Sequence, residues 1–236
     1  MQKIKELSIF FPFWNEEANI EQVVKAAIPI ASKIATRWEI LIIDDGSTDK
    51  TLEIANRISH EFKNIRVISH NPNRGYGGAL KSGFEAASFD TVVFTDGDSQ
   101  FDFSEVDRFV KKIKENDIVI GFREKRRDNL TRHVLMDMLK IWDYGFFGFR
   151  FKDIDCGFKM FKKSAIETIS PLRSEGAMIT TEILAKAQKR NLKIAEVGVS
   201  HFPRTKGNQS GANLFVITRA VLESLMLWGE LKSGRI

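Results

Sequence analysis

Two carboxylates flank a glycine in Asp96-Gly97-Asp98-Ser99-Gln100, directly after the apolar run Val92-Val93-Phe94-Thr95. Residues of that run favour a buried strand, and Gly97 lets the backbone turn tightly so that Asp96 and Asp98 aim at one centre. Carboxylates and an amide oxygen are hard ligands. They suit Mg²⁺ or Mn²⁺, which keep water and share a substrate's phosphate oxygens in place of a full protein cage. An acidic pair at a strand end also serves simply to solvate a loop. The company the pair keeps separates the two readings.

That company is similar in kind. Asp44-Asp45-Gly46-Ser47-Thr48-Asp49 follows the apolar run Trp38–Ile43. Ser47, Thr48 and Asp49 can cap the helix that runs on to about Phe62, but capping does not require Asp44 and Asp45. Near the N-terminus Leu7–Phe11 is a strand whose regular pairing Pro12 ends, followed by Phe13-Trp14-Asn15-Glu16-Glu17 and a helix over 18–34. Helix capping is the plain reading of Asn15, Glu16 and Glu17, while Trp14 serves as core or as a stacking platform. After the third strand, Ile65–Ile68, the glycines of Asn73-Arg74-Gly75-Tyr76-Gly77-Gly78 permit close backbone approach at a helix N-terminus, a place for phosphate or sugar. Their spacing is not that of a dinucleotide fingerprint, so a Rossmann NAD site is rejected.

Each of these motifs ends a strand and opens a helix, and the unit repeats four times. Right-handed parallel crossovers connect such units economically, which predicts a doubly wound sheet covered by helices. Ligands in open α/β sheets bind beyond the carboxyl ends of the strands, where every motif named so far falls. A fifth strand, Ile118–Arg123, carries an arginine at its end, and the run Lys125-Arg126-Arg127 that follows reads as a solvated face. Arg132 and His133 open an amphipathic helix. Tyr144–Phe151 is unusually aromatic and reads as core, or as a lip facing a membrane. Asp153 and Asp155 precede another strand as acceptors toward the cleft, and Cys156 between them and that strand reads as packed. Glu182 lies on a helix from about Thr180 to Arg190 and faces core or cleft. Leu192–Val199 is a late strand, and the basic loop His201–Gly207 can close over phosphate groups.

The 236 residues, 43% of them hydrophobic, can bury a sizeable core as one domain. One cysteine makes neither an internal disulfide nor a cysteine-rich zinc site, so the composition suits the cytosol. The charged start Met1–Leu7 is no secretory signal, and no uncharged apolar stretch reaches the roughly 18 residues that span a bilayer. Leu214–Trp228 is interrupted by Arg219 and Glu223 and reads as an amphipathic helix, on the core or on a membrane surface. A net charge of +5 and a pI near 9.2 favour polyanionic partners. The basic residues are not interleaved into a nucleic-acid module, so no nucleic-acid partner is expected.

In this order, the motifs from about Leu7 to Gly207 resemble the inverting family 2 glycosyltransferases of GT-A fold, in particular the branch of dolichyl-phosphate mannose synthases and polyprenyl-phosphate glycosyltransferases. The blocks that carry the likeness are Pro12–Glu17, Asp44-Asp45-Gly46-Ser47, Asn73-Arg74-Gly75, Asp96–Gln100, Gly121-Phe122-Arg123, Asp155-Cys156-Gly157-Phe158 and Arg204. Trp14 stands where tyrosine is usual, and Gly97 where alanine is common. The resemblance implies a mostly parallel central sheet flanked by helices, with 1–212 as the transferase domain and 213–236 as a C-terminal amphipathic, membrane-interfacial helix. It places Pro12, Trp14, Glu16, Asp45, Asp96 and Gly97 at a nucleotide-diphosphate sugar, and Asp98 and Gln100, with Asp96, at Mg²⁺ or Mn²⁺. Arg123, Arg132 and Arg204 match positions that handle the acceptor phosphate, and Asp96, Asp155 and Arg123 form the catalytic set. The implied reaction moves a hexose to polyprenyl phosphate, dolichyl or undecaprenyl, at the cytosolic membrane face, by a peripheral enzyme with a membrane-anchoring partner. The alternative is transfer to a saccharide hydroxyl in surface-polysaccharide or glycolipid assembly, with Asp155 as base.

Overall fold

The computed structural model describes residues 3–124, 144–204, 206 and 214–233. Strand and helix alternate through β1 (Ile4–Phe13), α1 (Ile20–Ile34), β2 (Ala35–Asp44), α2 (Thr51–Glu61), β3 (Ile65–Ser69), α3 (Gly75–Ala86) and β4 (Thr91–Thr95). A 3₁₀ turn at Phe103–Glu105 leads into α4 (Val106–Ile113) and β5 (Ile118–Arg123). Then come β6 (Phe158–Lys162), α5 (Lys163–Ile169), α6 (Ile179–Lys189), β7 (Ile194–Val199) and α7 (Leu214–Lys232). Arg132, His133 and the run Lys125–Arg127 lie outside the described residues.

The strands form one seven-stranded sheet in the order β3-β2-β1-β4-β6-β5-β7. The first four strands pair in parallel, as their repeating units predict. The doubly wound expectation needs one correction: β6 runs antiparallel between β4 and β5. Its reversal matters for the site, because it is the start of β6, not its end, that meets the carboxyl ends of β4 and β5.

Alternation along β1 divides the core into two layers. Leu7, Ile9, Phe11 and Phe13 face α1, α2 and α4, while Phe10 joins Leu41 and Ile43 of β2 against α3, α5 and α6. Phe10, Phe84, Phe94 and Phe161 meet at ring distances of 5.1 and 5.2 Å and fill the second layer beneath β4. Burying each ring contributes roughly 1.5–3 kcal/mol, which anchors the strand that ends at Asp96.

Pro12 does not end β1. It pairs in register with Ile43 of β2, and Phe13 with Asp44, whereas pairing with β4 stops at Phe10. A residue without an N–H is tolerated there because one side of the strand is already unpaired at that level.

Candidate active site

Asp96 follows the last residue of β4, and its N–H donates to the Gly157 carbonyl at 3.1 Å, which ties the end of β4 to the start of β6. The Tyr76 hydroxyl donates to Asp96 Oδ1 at 2.9 Å. Gly157 lies so close that a Cβ there would overlap the Asp96 carboxylate. Burial and then the neighbouring Asp98 push Asp96 up to about 7, against the pull of Tyr76, Lys159 and Arg123. Burial also raises Asp98, opposed by the Gln100 N–H, Arg204 and His201. Two half-buried carboxylates whose charged forms are both disfavoured suit a partner that brings positive charge.

The turn is not built as the sequence predicts. The left-handed residue is Ser99, with φ of 63°, and not Gly97. Glycine is required at 97 for a different reason: a Cβ there would run into the Phe13 ring and the Pro12 carbonyl oxygen. Gly97→Ala is therefore expected to cost about 1–3 kcal/mol of stability by overpacking, and Phe13→Leu in the same chain should restore most of it. Thermal unfolding of the two variants checks this, and an unchanged midpoint in Gly97→Ala would refute it.

Around the acidic pair the chain returns from far away. Arg204 places Nη1 3.6 Å from Asp98 Oδ2, donates from Nη2 to Glu16, and donates from Nε to the Lys206 carbonyl at 2.9 Å. Burial raises the Glu16 carboxyl, while Asn19, which donates to it at 2.6 Å, and Arg204 act the other way. Gln100 donates its backbone N–H to Asp98 at 3.1 Å and its side-chain amide to the Phe202 carbonyl at 3.0 Å. A bridge between Phe101 and His201 brings that histidine alongside the motif. Among the described residues no three His, Cys, Asp or Glu side chains converge into a complete cage. Asp98 and Gln100, with Asp96, nevertheless carry oxygen donors of the type that suit Mg²⁺ or Mn²⁺, with water and phosphate completing the shell.

The loops after β1 and β2 are laced together. Asn15, at φ of 54°, receives Thr48 N–H on its side-chain oxygen at 2.8 Å and donates its own N–H to Ser47 Oγ at 2.9 Å. Asn15 and Glu17 thus join two loops and do not cap α1, whose N-cap Asn19 makes no side-chain cap bond. Asp49 does cap, accepting the Thr51 N–H at 2.9 Å. Trp14 stands beside this seam with 45% of its surface exposed, as a stacking platform would.

Asp45 is buried against the start of α3. Its Oδ1 accepts from the Arg74 N–H at 2.9 Å and faces His70 Nδ1 at 2.6 Å, and its Oδ2 accepts the Gly75 N–H at 2.8 Å. A carboxylate can only accept here, so His70 carries its hydrogen on Nδ1, and Nε2 faces Ser82 Oγ at 2.9 Å. The glycines of α3 approach protein and not phosphate: Gly77 N–H donates to the Glu175 carbonyl at 2.9 Å, and a Cβ on Gly75 or Gly77 would strike the backbone of Ser174 or Glu175.

On the other flank Arg123 clasps Asp153 in a bidentate pair, Nε to Oδ2 at 2.7 Å and Nη2 to Oδ1 at 3.0 Å. Asp155 is half-exposed between the buried Ile154 and Cys156. The structure therefore brings together Asp96, Asp98, Gln100, Glu16 and Arg204, with Arg123 and Asp155 on the β6 side, Pro12, Trp14 and Gly97 on the β1 side, and Asp45 in the wall. Tyr76, His70 and Lys159 are additions that nothing in the sequence pattern singles out. His201 lay inside the basic loop flagged for phosphate, yet its own place beside Asp98 is visible only through the bridge to Phe101.

The sequence model of the family described as Glycosyl transferase family 2 matches residues 8–169, which include β1 to β6 and the whole acidic motif. The chain belongs to glycosyl transferase family 2. Among relatives of this glycosyltransferase chain, the dolichyl-phosphate beta-glucosyltransferase of Saccharomyces cerevisiae is 32% identical over 223 residues, 82% of this chain and 66% of the relative's length. The protein of the same description from Dictyostelium discoideum is 34% identical over 217 residues, covering 82% and 65%. The undecaprenyl-phosphate 4-deoxy-4-formamido-L-arabinose transferase of Salmonella choleraesuis is 29% identical over 87% of this chain and 62% of its own length. The chain thus spans just under two thirds of these relatives. Among solved structures, glucosyl-3-phosphoglycerate synthase from Mycobacterium tuberculosis, in complex with Mn²⁺, UDP and glucosyl-3-phosphoglycerate, superposes with a TM-score of 0.69 at 23% identity, over 95% of this chain and 80% of that one. That likeness establishes the GT-A architecture.

Proposed function

We propose that the chain is an inverting, metal-dependent glycosyltransferase that moves a hexose from a nucleoside-diphosphate sugar to polyprenyl phosphate. The observation that carries this reading is the pair of half-buried, charge-disfavoured carboxylates at the end of β4, with Arg204 beside Asp98. The acceptor class draws on the printed descriptions of the relatives, which name dolichyl and undecaprenyl phosphate. An acceptor oxygen attacks the anomeric carbon in line, the bond to the diphosphate oxygen breaks, configuration inverts, and nucleoside diphosphate departs with the electron pair. A divalent metal held by Asp98 and Gln100, with Asp96, would supply charge stabilisation to the departing diphosphate. Arg204 supports the same charge, and Arg123 and Asp155 face the acceptor end. Arg132, from the same basic set, is assigned to the acceptor phosphate on the resemblance alone. Asp155 orients the acceptor and takes a proton wherever the attacking group carries one, as a sugar hydroxyl or a singly ionised phosphate monoester does.

Hydrogen bonding at Asp45 supports a pyrimidine base. Oδ1 is spent on His70 and Arg74, and Oδ2 on Gly75, which leaves one acceptor position. One position matches the single N–H of uracil or thymine and falls short of the two adjacent donors of guanine. UDP is expected to bind at least about tenfold more tightly than GDP in the presence of Mn²⁺, the worth of one hydrogen bond or more.

No helix among the described residues is long and apolar enough to cross a membrane. Contact with the lipid surface would fall to α7, whose outer face exposes Leu222 at 59%, Leu225 at 42% and Met226 at 63%, with Lys232 stacked 4.3 Å over Trp228. The reading also takes in, from the resemblance alone, a peripheral position at the cytosolic membrane face and a membrane-anchoring partner. Calorimetric titration of UDP-, GDP- and dTDP-sugars with Mn²⁺, followed by assay of released nucleoside diphosphate with and without short-chain polyprenyl phosphate, tests the proposal. Release that depends on the lipid phosphate supports it; release only with a soluble glycan moves the acceptor to a saccharide hydroxyl.

A further inference from the structure

Lys159 is a lysine where a sheet protein ordinarily places an aliphatic residue. It sits in β6, paired in register with Phe94 of β4, with none of its surface exposed. Burying an amine there costs several kcal/mol, and a methionine or leucine would fill the space at no such cost. The amine donates to the Ile154 carbonyl at 3.0 Å and to the Cys156 carbonyl. These carbonyls belong to the residues on either side of Asp155. The same short stretch is held at both ends, by Arg123 on Asp153 and by the Asp96 N–H on the Gly157 carbonyl. Burial pulls the Lys159 amine below its ordinary range, and Cys156, Asp153, Asp155 and Asp96 oppose that. Ile154 and Cys156 are buried, so Asp155 is the residue of the gripped stretch that reaches outward.

We propose that Lys159 is a positioning residue of the site: its amine grips the carbonyls flanking Asp155 and fixes where that carboxylate stands relative to the end of β4. The role of Asp155 rests on the glycosyl-transfer reading above; the grip on the backbone does not. Lys159→Met removes both donors, and Lys159→Gln keeps shorter ones. Each is made alone and with Asp155→Asn in the full chain, and assayed with UDP-glucose, Mn²⁺ and short-chain polyprenyl phosphate. In Lys159→Met the backbone amides at 153–157 should exchange hydrogen at least about tenfold faster, with β1 and β2 unchanged. The kcat should fall about 10²-fold while donor KM stays within about threefold, because about 1 Å of misplacement costs that much. Lys159→Gln should recover part of the loss. In the Asp155→Asn background either change should cost almost nothing further, since both act through one carboxylate.

Unchanged exchange and kcat would overturn the proposal, as would losses that multiply in the double variants. Failure of both single variants to fold would also overturn it, because Lys159 would then belong to the fold and not to the site. A wild-type chain that turns over no donor would count against the glycosyl-transfer reading, and the exchange measurement would still decide the place of Lys159.

Discussion

Asp98→Ala is expected to fold normally and to transfer sugar at about a thousandth of the wild-type rate or less, the scale of losing a principal charge-stabilising group. The fold should not suffer, because Asp98 is a half-buried carboxylate whose charged form its surroundings disfavour. Removing it relieves that penalty and leaves Arg204 its partner Glu16. Asp98→Asn keeps the shape and the acceptor for the Gln100 N–H while removing the charge, so the two variants separate packing from electrostatics. Mn²⁺ affinity, measured by titration, should fall in both. Retention of more than about a tenth of the wild-type rate in Asp98→Ala would sink the metal assignment for this residue.

Glu182→Ala should be the most damaging substitution outside the site, lowering stability by about 3–5 kcal/mol, the usual result of stripping one partner from a buried ion pair. Glu182 and Lys186 lie one turn apart in α6, 2.7 Å from each other and almost wholly buried. The carboxylate also accepts the Arg173 N–H at 2.9 Å and the Ser174 N–H at 2.8 Å, and Lys186 donates to the Pro171 carbonyl at 2.5 Å. This pair fixes the segment whose Glu175 carbonyl receives the Gly77 and Gly78 N–H groups in the first turn of α3. Burial raises the Glu182 carboxyl, but Lys186 and the two backbone N–H groups outweigh it and hold it below the ordinary glutamate range. A depressed folded value means that the stabilisation is fully present above the unfolded value near pH 4.3 and is lost as pH falls through the lower folded value. The gap in thermal midpoint between wild type and Glu182→Ala should therefore be wide at pH 7 and narrow as the pH falls below about 4.3 and through the lower folded value. The double change Glu182→Met with Lys186→Met should not rescue fully, since the Arg173 and Ser174 N–H groups still lose their acceptor.

The alternation of strand and helix through β5 is legible in the chain because each strand is an apolar run closed by polar turn residues. The acidic motifs fall at strand ends for the same reason. Orientation is a different matter. Nothing local in Phe158–Lys162 distinguishes a parallel from an antiparallel strand, since the reversal of β6 is set by the path of the chain between β5 and β6. Glycine chemistry misled in a similar way. At Gly97 and along α3 the residue type correctly announced close approach, but what approaches is Phe13 in one case and the Glu175 backbone in the other. Spacing says that room is needed and not for whom. Glu182 and Lys159 were undecidable or unremarked because a charged residue reads as surface until its partners are seen.

The clasp between Arg123 and Asp153 separates the working groups from the chain that lies between them. The two residues stand 30 positions apart and are joined by two hydrogen bonds, one residue ending β5 and the other leading into β6. Whatever sequence connects them leaves and re-enters the sheet at the same fixed gate. Doubling the length of such a connection adds only about 0.6 kcal/mol to the entropy of closing it. The length of that connection can thus change at little cost while the carboxylates at the end of β4 keep their register, provided that Phe149, which the core holds, is retained.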